Sequence, residues 1–233
     1  MRVFPVEDFN PRLHTPWVTR AIIALNAAVF VYQFLLLSEP QNLRFVHAHG
    51  AVPAVLLSGY GPALSTAFTS MFIHGGLLHL LSNMLFLGVF GDNVEDLLGK
   101  LKFVTFYVIT GLSAVLTHAL VSPQSQVPMV GASGAISGVL GAYLLLFPHA
   151  RVRTWLVIFP IDLPAFVYIA LWFLMNLQGG LGSLSHNQAG ANVAFFAHVG
   201  GFAAGVALLL LMGKPKGPRV YLGPKLSPPR SRR

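Results

Sequence analysis

Apolar residues in this chain fall into long blocks separated by short polar or Gly/Pro-rich stretches. Six blocks, at about 18–37, 72–91, 101–121, 132–147, 164–180 and 190–212, are long enough, or nearly so, to cross a bilayer as helices. Crossing about 30 Å of hydrocarbon takes about 20 helical residues, so the pattern predicts six transmembrane helices packed as one domain. The fourth and fifth blocks are the shortest, which predicts that they begin or end below the membrane surface, where polar groups can line a cavity. The expected fold class is therefore an all-α membrane protein. It has an N-terminal segment 1–17, a six-helix membrane domain 18–213 and a basic tail 214–233 that is expected to be disordered. The first block follows Arg20 as a signal peptide would, but it runs into Ser38-Glu39-Pro40 without a small-x-small cleavage site, so a retained first span is expected.

Composition and charge sharpen this picture. Hydrophobic residues make up 55% of the 233 and charged residues only 9%, against roughly 25% charged in an average soluble domain. The net charge of +8 is concentrated in the tail, where seven of the fifteen Lys and Arg lie between Lys214 and Arg233. Beside so apolar a chain, that cluster predicts contact with anionic lipid and no nucleic-acid partner. With the six spans as drawn, the N-terminus through Arg20, the 92–102 and 148–163 loops and the tail hold fourteen Lys and Arg, and the opposite side holds only Arg44. The positive-inside rule then predicts both termini in the cytoplasm and the start of the fourth span facing the extracytoplasmic side. The 38–71 stretch, with Ala51-Val52-Pro53-Ala54-Val55-Leu56-Leu57, and the 148–163 stretch, with Trp155 to Pro160, read as interfacial segments on opposite faces.

The chemistry-bearing residues sit inside the apolar blocks. Gly131-Ala132-Ser133-Gly134 opens the fourth span, and the small residues Gly134, Gly138 and Gly141 give it a close-approach face. Ser133 and Ser137, four residues apart, share a side of that helix; taken alone, both are accounted for by hydrogen bonds to backbone carbonyls or by an N-cap. In the sixth span His198, Gly201, Phe202 and Gly205 share a stripe. An intramembrane histidine is costly enough to suggest function, and two small faces can dock to bring His198 to Ser133. The second span carries His74, His79, Ser82 and Asn83. His79 and Asn83 are one turn apart and could donate to a developing oxyanion, together with the backbone N–H at Ser133, whereas His74 matches that face poorly. With no cysteine in the chain, thiolate chemistry is excluded. None of the seven carboxylates lies well inside a span, so a buried acidic third triad member is not expected. No HExxH or paired intramembrane aspartates occur. A metal held by His74, His79, His118 and His198 would lack a recognisable ligand spacing, and no metal and no cofactor are expected.

These residues resemble the rhomboid family of intramembrane serine proteases over roughly 18–212. The resemblance rests on His74-Gly75-Gly76-Leu77-Leu78-His79-Leu80-Leu81-Ser82-Asn83, then Gly131-Ala132-Ser133-Gly134, then Ala197-His198-Val199-Gly200-Gly201 leading into Gly205, in family order. It implies a six-helix rhomboid-like bundle and a Ser133–His198 catalytic dyad. It also implies oxyanion stabilisation by His79, Asn83 and the Ser133 N–H, in an active-site cavity with His74, Gly131, Ala132 and Ser137. Transmembrane protein substrates would be cut near the extracytoplasmic membrane face, with the lipid bilayer as the only other partner. The compact core suggests a prokaryotic plasma membrane. Two departures stand out. The Trp-Arg pair that many relatives carry in the first outer loop is missing from Leu64-Ser65-Thr66-Ala67-Phe68-Thr69, and Ser137 stands where relatives often have an aromatic against the histidine. Orientation of His198 is then left to some other residue, with Phe196 and Phe202 as candidates. Two other classes compete: a rhomboid-like protein that holds clients without cutting them, against which intact Ser133 and His198 argue, and a small transporter, for which paired broken helices are lacking.

Overall fold

A computed structural model describes residues 3–59, 63–156, 159–185 and 195–213. The chain opens with strand β1 (Val3–Asp8) and then enters helix α1 (Trp17–Val31), prolonged to Leu36 by a π-helical turn. Three short helices follow on the way to the second long segment: α2 (Glu39–His49), α3 (Pro53–Ser58) and α4 (Ala63–Thr69). Helix α2 starts at a capping box, where the Gln41 side chain accepts the Ser38 N–H at 2.9 Å. Much of the described part of the 38–71 stretch expected at the interface is thus helical, and it exposes Leu43, Val55, Leu57 and Phe68.

Helix α5 (Leu77–Phe86), a π turn at Leu87–Gly91 and α6 (Asp92–Leu98) make one continuous segment, broken at Gly99 before α7 (Lys100–Val121). Helix α8 (Ser133–Leu146) is followed by strands β2 (Arg151–Leu156) and β3 (Phe159–Pro164), then α9 (Ala165–Ser185) and α10 (Phe195–Met212). Among the described residues five helical segments are long and apolar enough to cross a membrane, Trp17–Leu36, Leu77–Leu98, Lys100–Val121, Ala165–Gly182 and Phe195–Met212, and the apolar α8 is shorter. Of the block expected at 190–212, residues 190–194 lie outside the described residues, as does the tail 214–233.

The all-α expectation needs one amendment. Strands β1, β2 and β3 form an antiparallel sheet in that order, with Phe4 opposite Trp155 and Arg153 opposite Asp162. Along β2, Val152 and Thr154 are buried while Arg151 and Trp155 are exposed, the two-residue alternation of a half-buried strand. The Arg153 guanidinium holds Asp162 at 3.0 Å and lies over the Phe9 ring.

Helices α7, α8 and α10 form the centre of the bundle. Lipid tails are as apolar as leucine, so helices in a bilayer associate chiefly through close van der Waals fit, and small residues permit it. Here a methyl group added at Gly201 or Gly205 of α10 would collide with the carbonyl oxygens of Gly134 and Gly138 of α8. Helix α7 meets the same seam: a methyl at Gly134 would meet the Ala114 Cβ of α7 at 2.5 Å, and one at Gly201 would meet it at 3.3 Å. Tyr107, Phe106, Leu140 and Leu209 fill the core around this seam.

At the N-terminal side a polar network ties the chain's beginning to the bundle. Glu95 accepts the N–H groups of Val18 and Thr19 at 2.9 and 2.7 Å, placing a carboxylate at the positive end of α1. Asp8 accepts from the Tyr143 hydroxyl at 2.5 Å and from the Asn93 amide at 2.7 Å, and Arg12 pairs with Asp92 at 2.7 Å.

Candidate active site

Ser133 is the first residue of α8 and is partly buried, and every residue behind it from Gly134 to Tyr143 is buried. The turn into the helix needs Gly131, whose φ of 123° is one that side-chain-bearing residues rarely adopt. Its N–H donates to the Ser70 carbonyl at 2.9 Å, which pins the turn to the segment before α5. Ala132 is fully buried, and its carbonyl accepts the Ile136 N–H at 3.0 Å. The N–H groups of the first helical turn, from Ser133 onward, have no partner within the helix and form a donor cluster there.

The docking of α10 on α8 sets His198 against this turn. His198 Nε2 lies 2.8 Å from Ser133 Oγ, a hydrogen bond between a hydroxyl and an imidazole half-buried in apolar surroundings. Ser137 has a different part: its hydroxyl donates to the Ser133 carbonyl at 2.6 Å, so it is committed to the backbone one turn down.

The expectation that Phe196 or Phe202 orients His198 is not met. The Phe202 ring packs on Phe173 at 4.8 Å between centroids, and the Phe196 ring lies against Gly180. Two residues of α9 meet His198 instead. The Trp172 ring lies 5.8 Å from the imidazole, tilted by 39°, and the Asn176 Oδ1 is 2.5 Å from His198 Nδ1. Neither was singled out from the sequence. The available signal was an amide within an apolar span, since a polar side chain there needs a partner for the same reason a histidine does.

His79 and Asn83 of α5 flank the Ser133 turn from the other side. A methyl at Gly131 would lie 2.8 Å from His79 Nε2 and 3.7 Å from Asn83 Nδ2, so both reach the space beside the helix start. The Gly75 N–H points at His79 Nδ1 at a long 3.4 Å; with Nδ1 accepting, Nε2 carries the proton. Asn83 is buried, and its Nδ2 finds no hydrogen-bond acceptor among the described residues. His74 precedes α5 in the Ile73–Gly76 stretch, which explains its poor helical match to His79. It is fully buried, with its ring edge-on to His79 at 5.1 Å and its N–H 3.3 Å from the Gln33 side chain. Among the described residues no three His, Asp or Glu side chains come together as a metal would require.

The structure thus sets a serine–histidine pair at a helix start inside an apolar helical bundle, with histidine and amide donors beside it. Residues 62–215 match the model of the rhomboid domain, and the chain belongs to the rhomboid family. It is 34% identical to RHOMBOID-like protein 5 of Arabidopsis thaliana over 161 residues, covering 68% of this chain and 47% of that protein. To Rhomboid protein 1, mitochondrial, of Saccharomyces cerevisiae it is 29% identical over 204 residues, covering 84% of this chain and 53% of that protein. The chain spans about half the length of these curated relatives. They are plant and yeast proteins, one of them mitochondrial, and they lend no support to the expectation of a prokaryotic plasma membrane. The family and the apolar helices together make this a multi-pass integral membrane protein, and the family suggests intramembrane proteolysis.

Proposed function

We propose that the protein is a serine endopeptidase that cuts transmembrane helices of other proteins near the extracytoplasmic membrane face, through a Ser133–His198 dyad. The single observation that supports this most is the 2.8 Å contact between Ser133 Oγ and His198 Nε2 inside an apolar bundle. In this reading α8 serves as a sixth span, recessed at its start, and both termini lie in the cytoplasm, as the distribution of Lys and Arg suggests.

The chemistry follows from the groups present. His198 Nε2 takes the Ser133 proton, the oxygen attacks the scissile carbonyl, and the oxyanion forms toward His79 Nε2, the Asn83 amide and the Ser133 N–H. The His198 imidazolium then protonates the leaving amine, which gives an acyl-enzyme. Water entering from the outer face, deprotonated by His198, releases the second product. A helical substrate buries its carbonyls in i→i−4 hydrogen bonds, so the cut site must unwind, and small or helix-breaking residues are favoured there.

A serine-reactive fluorophosphonate tests the nucleophile without a known substrate. Labelling at Ser133 is expected in the unmodified protein and is lost in Ser133→Ala and His198→Ala. Undiminished labelling of folded Ser133→Ala would assign the nucleophile elsewhere.

A further inference from the structure

The middle of α9 carries Asn176 among Phe173, Leu174, Met175 and Leu177, and its amide is turned to α10. Tyr168, Trp172 and Asn176 recur every four residues and so share one face. That face is held close to α10: a methyl at Gly179 would strike the Phe195 ring at 2.5 Å, and one at Gly180 would meet the Phe196 ring at 3.2 Å. In this approach the Asn176 amide makes two hydrogen-bond contacts among the described residues. Its Nδ2 donates to the Trp172 carbonyl at 2.8 Å, and its Oδ1 faces His198 Nδ1 at 2.5 Å.

These two contacts fix a proton. A backbone carbonyl only accepts, so the end of the amide facing Trp172 is the NH₂, and the end facing His198 is the oxygen. An amide oxygen also only accepts, so His198 Nδ1 must carry the ring proton. Nε2 is then bare and accepts from the Ser133 hydroxyl, the tautomer that a general base requires. On the reading given under Proposed function, we infer that Asn176 is the positioning residue of a Ser133–His198–Asn176 triad, its amide oxygen holding His198 in the Nδ1-protonated tautomer. An amide does here what a carboxylate does in serine triads and an asparagine does in papain-like proteases. It does so without placing a formal charge beside the histidine in an apolar bundle. The imidazolium formed during acylation gains the same acceptor.

Other groups bear on the protonation of His198. His79 of α5 and His118 of α7 are the titratable neighbours whose charge it senses, and its direct partners on α8 and α9, Ser133 and Asn176, are neutral. Any pH response must therefore be compared with a variant that changes Asn176 alone.

The test is cleavage of a single-span substrate in proteoliposomes by the full chain, its Ser133→Ala variant, Asn176→Ala and Asn176→Asp, with thermal midpoints measured for each. Asn176→Ala is expected to lower kcat about 100-fold with KM within about threefold, in the range for general acid–base catalysis. Asn176→Asp keeps an acceptor and is expected to recover to within about tenfold of the unmodified rate. It should also move the acidic limb of the kcat profile to higher pH, because a carboxylate beside the ring favours imidazolium. A residue that only packs α9 against α10 would not move that limb. If the unmodified protein cuts and Ser133→Ala does not, yet Asn176→Ala keeps its kcat, or both folded Asn176 variants lose activity with no shift of the limb, the triad is wrong and the dyad stands. If Ser133→Ala cuts as well as the unmodified protein, the dyad has failed and the triad with it.

Discussion

The Asn83 amide is buried beside the Ser133 turn, and its Nδ2 finds no acceptor among the described residues. Leaving such a donor unpaired costs about 1–3 kcal/mol, and in the proposed mechanism the oxyanion of the transition state is the missing acceptor. Asn83→Ala is therefore expected to lower kcat about 100-fold while the thermal midpoint stays the same or rises. A fall in midpoint that accounts for the lost activity would make Asn83 a packing residue. At this scale Ser133, His198, His79 and Asn83 were legible because each lies in a short motif with small neighbours. Asn176 was not, because its partner is 22 residues further along and on another helix. Ser137 was legible as a residue but not in its role, since a serine four residues after another can equally face a site or bond the preceding turn.

Among the elements, the seam between α8 and α10 carries the most consequence, since it brings His198 to Ser133. Gly201→Val places a branched side chain against the Gly134 carbonyl, a backbone atom that cannot turn away. Overpacking typically costs 1–3 kcal/mol, so a lower thermal midpoint and loss of activity are expected together. The seam was readable from the spacing of its glycines. The sheet was not, because Pro5 and Pro160 and a largely apolar β2–β3 stretch masked the alternation of Val152 and Thr154.

That sheet also carries a pH response. Burial, added to by the charge of Asp92 and opposed by the Tyr143 hydrogen bond, raises the pKa of Asp8 from the ordinary 3.8 to about 7. The folded protein holds a proton there that the unfolded chain gives up, so the Asp8 contribution to stability is full below about pH 4. It is lost progressively as pH rises toward 7 and is constant above. Asp8→Asn keeps an acceptor for Tyr143 but no longer titrates. Its thermal midpoint relative to the unmodified protein should rise between pH 4 and 7.5, and a difference independent of pH would contradict the Asp8 assignment.

For the whole molecule, orientation decides which solution reaches the site. The chain has no cysteine, so single-cysteine variants report accessibility without background. An impermeant thiol reagent added outside intact cells or spheroplasts should modify Gln124→Cys, before α8, and spare Lys100→Cys, before α7; the reverse pattern would turn the site toward the cytoplasm. The apolar blocks were legible because hydropathy is a bulk property of the chain; among the described residues five of the six expected spans are helices long enough to cross a membrane, and the fourth, α8, is shorter. The shortness of α8, which recesses Ser133, was legible only as a weak length signal. The most direct test of the whole account is cleavage of a single-span membrane substrate by the protein in proteoliposomes, alongside Ser133→Ala and His198→Ala. The account predicts a cut near the extracytoplasmic boundary by the unmodified protein and none by either folded variant. Cutting that persists in Ser133→Ala would contradict it.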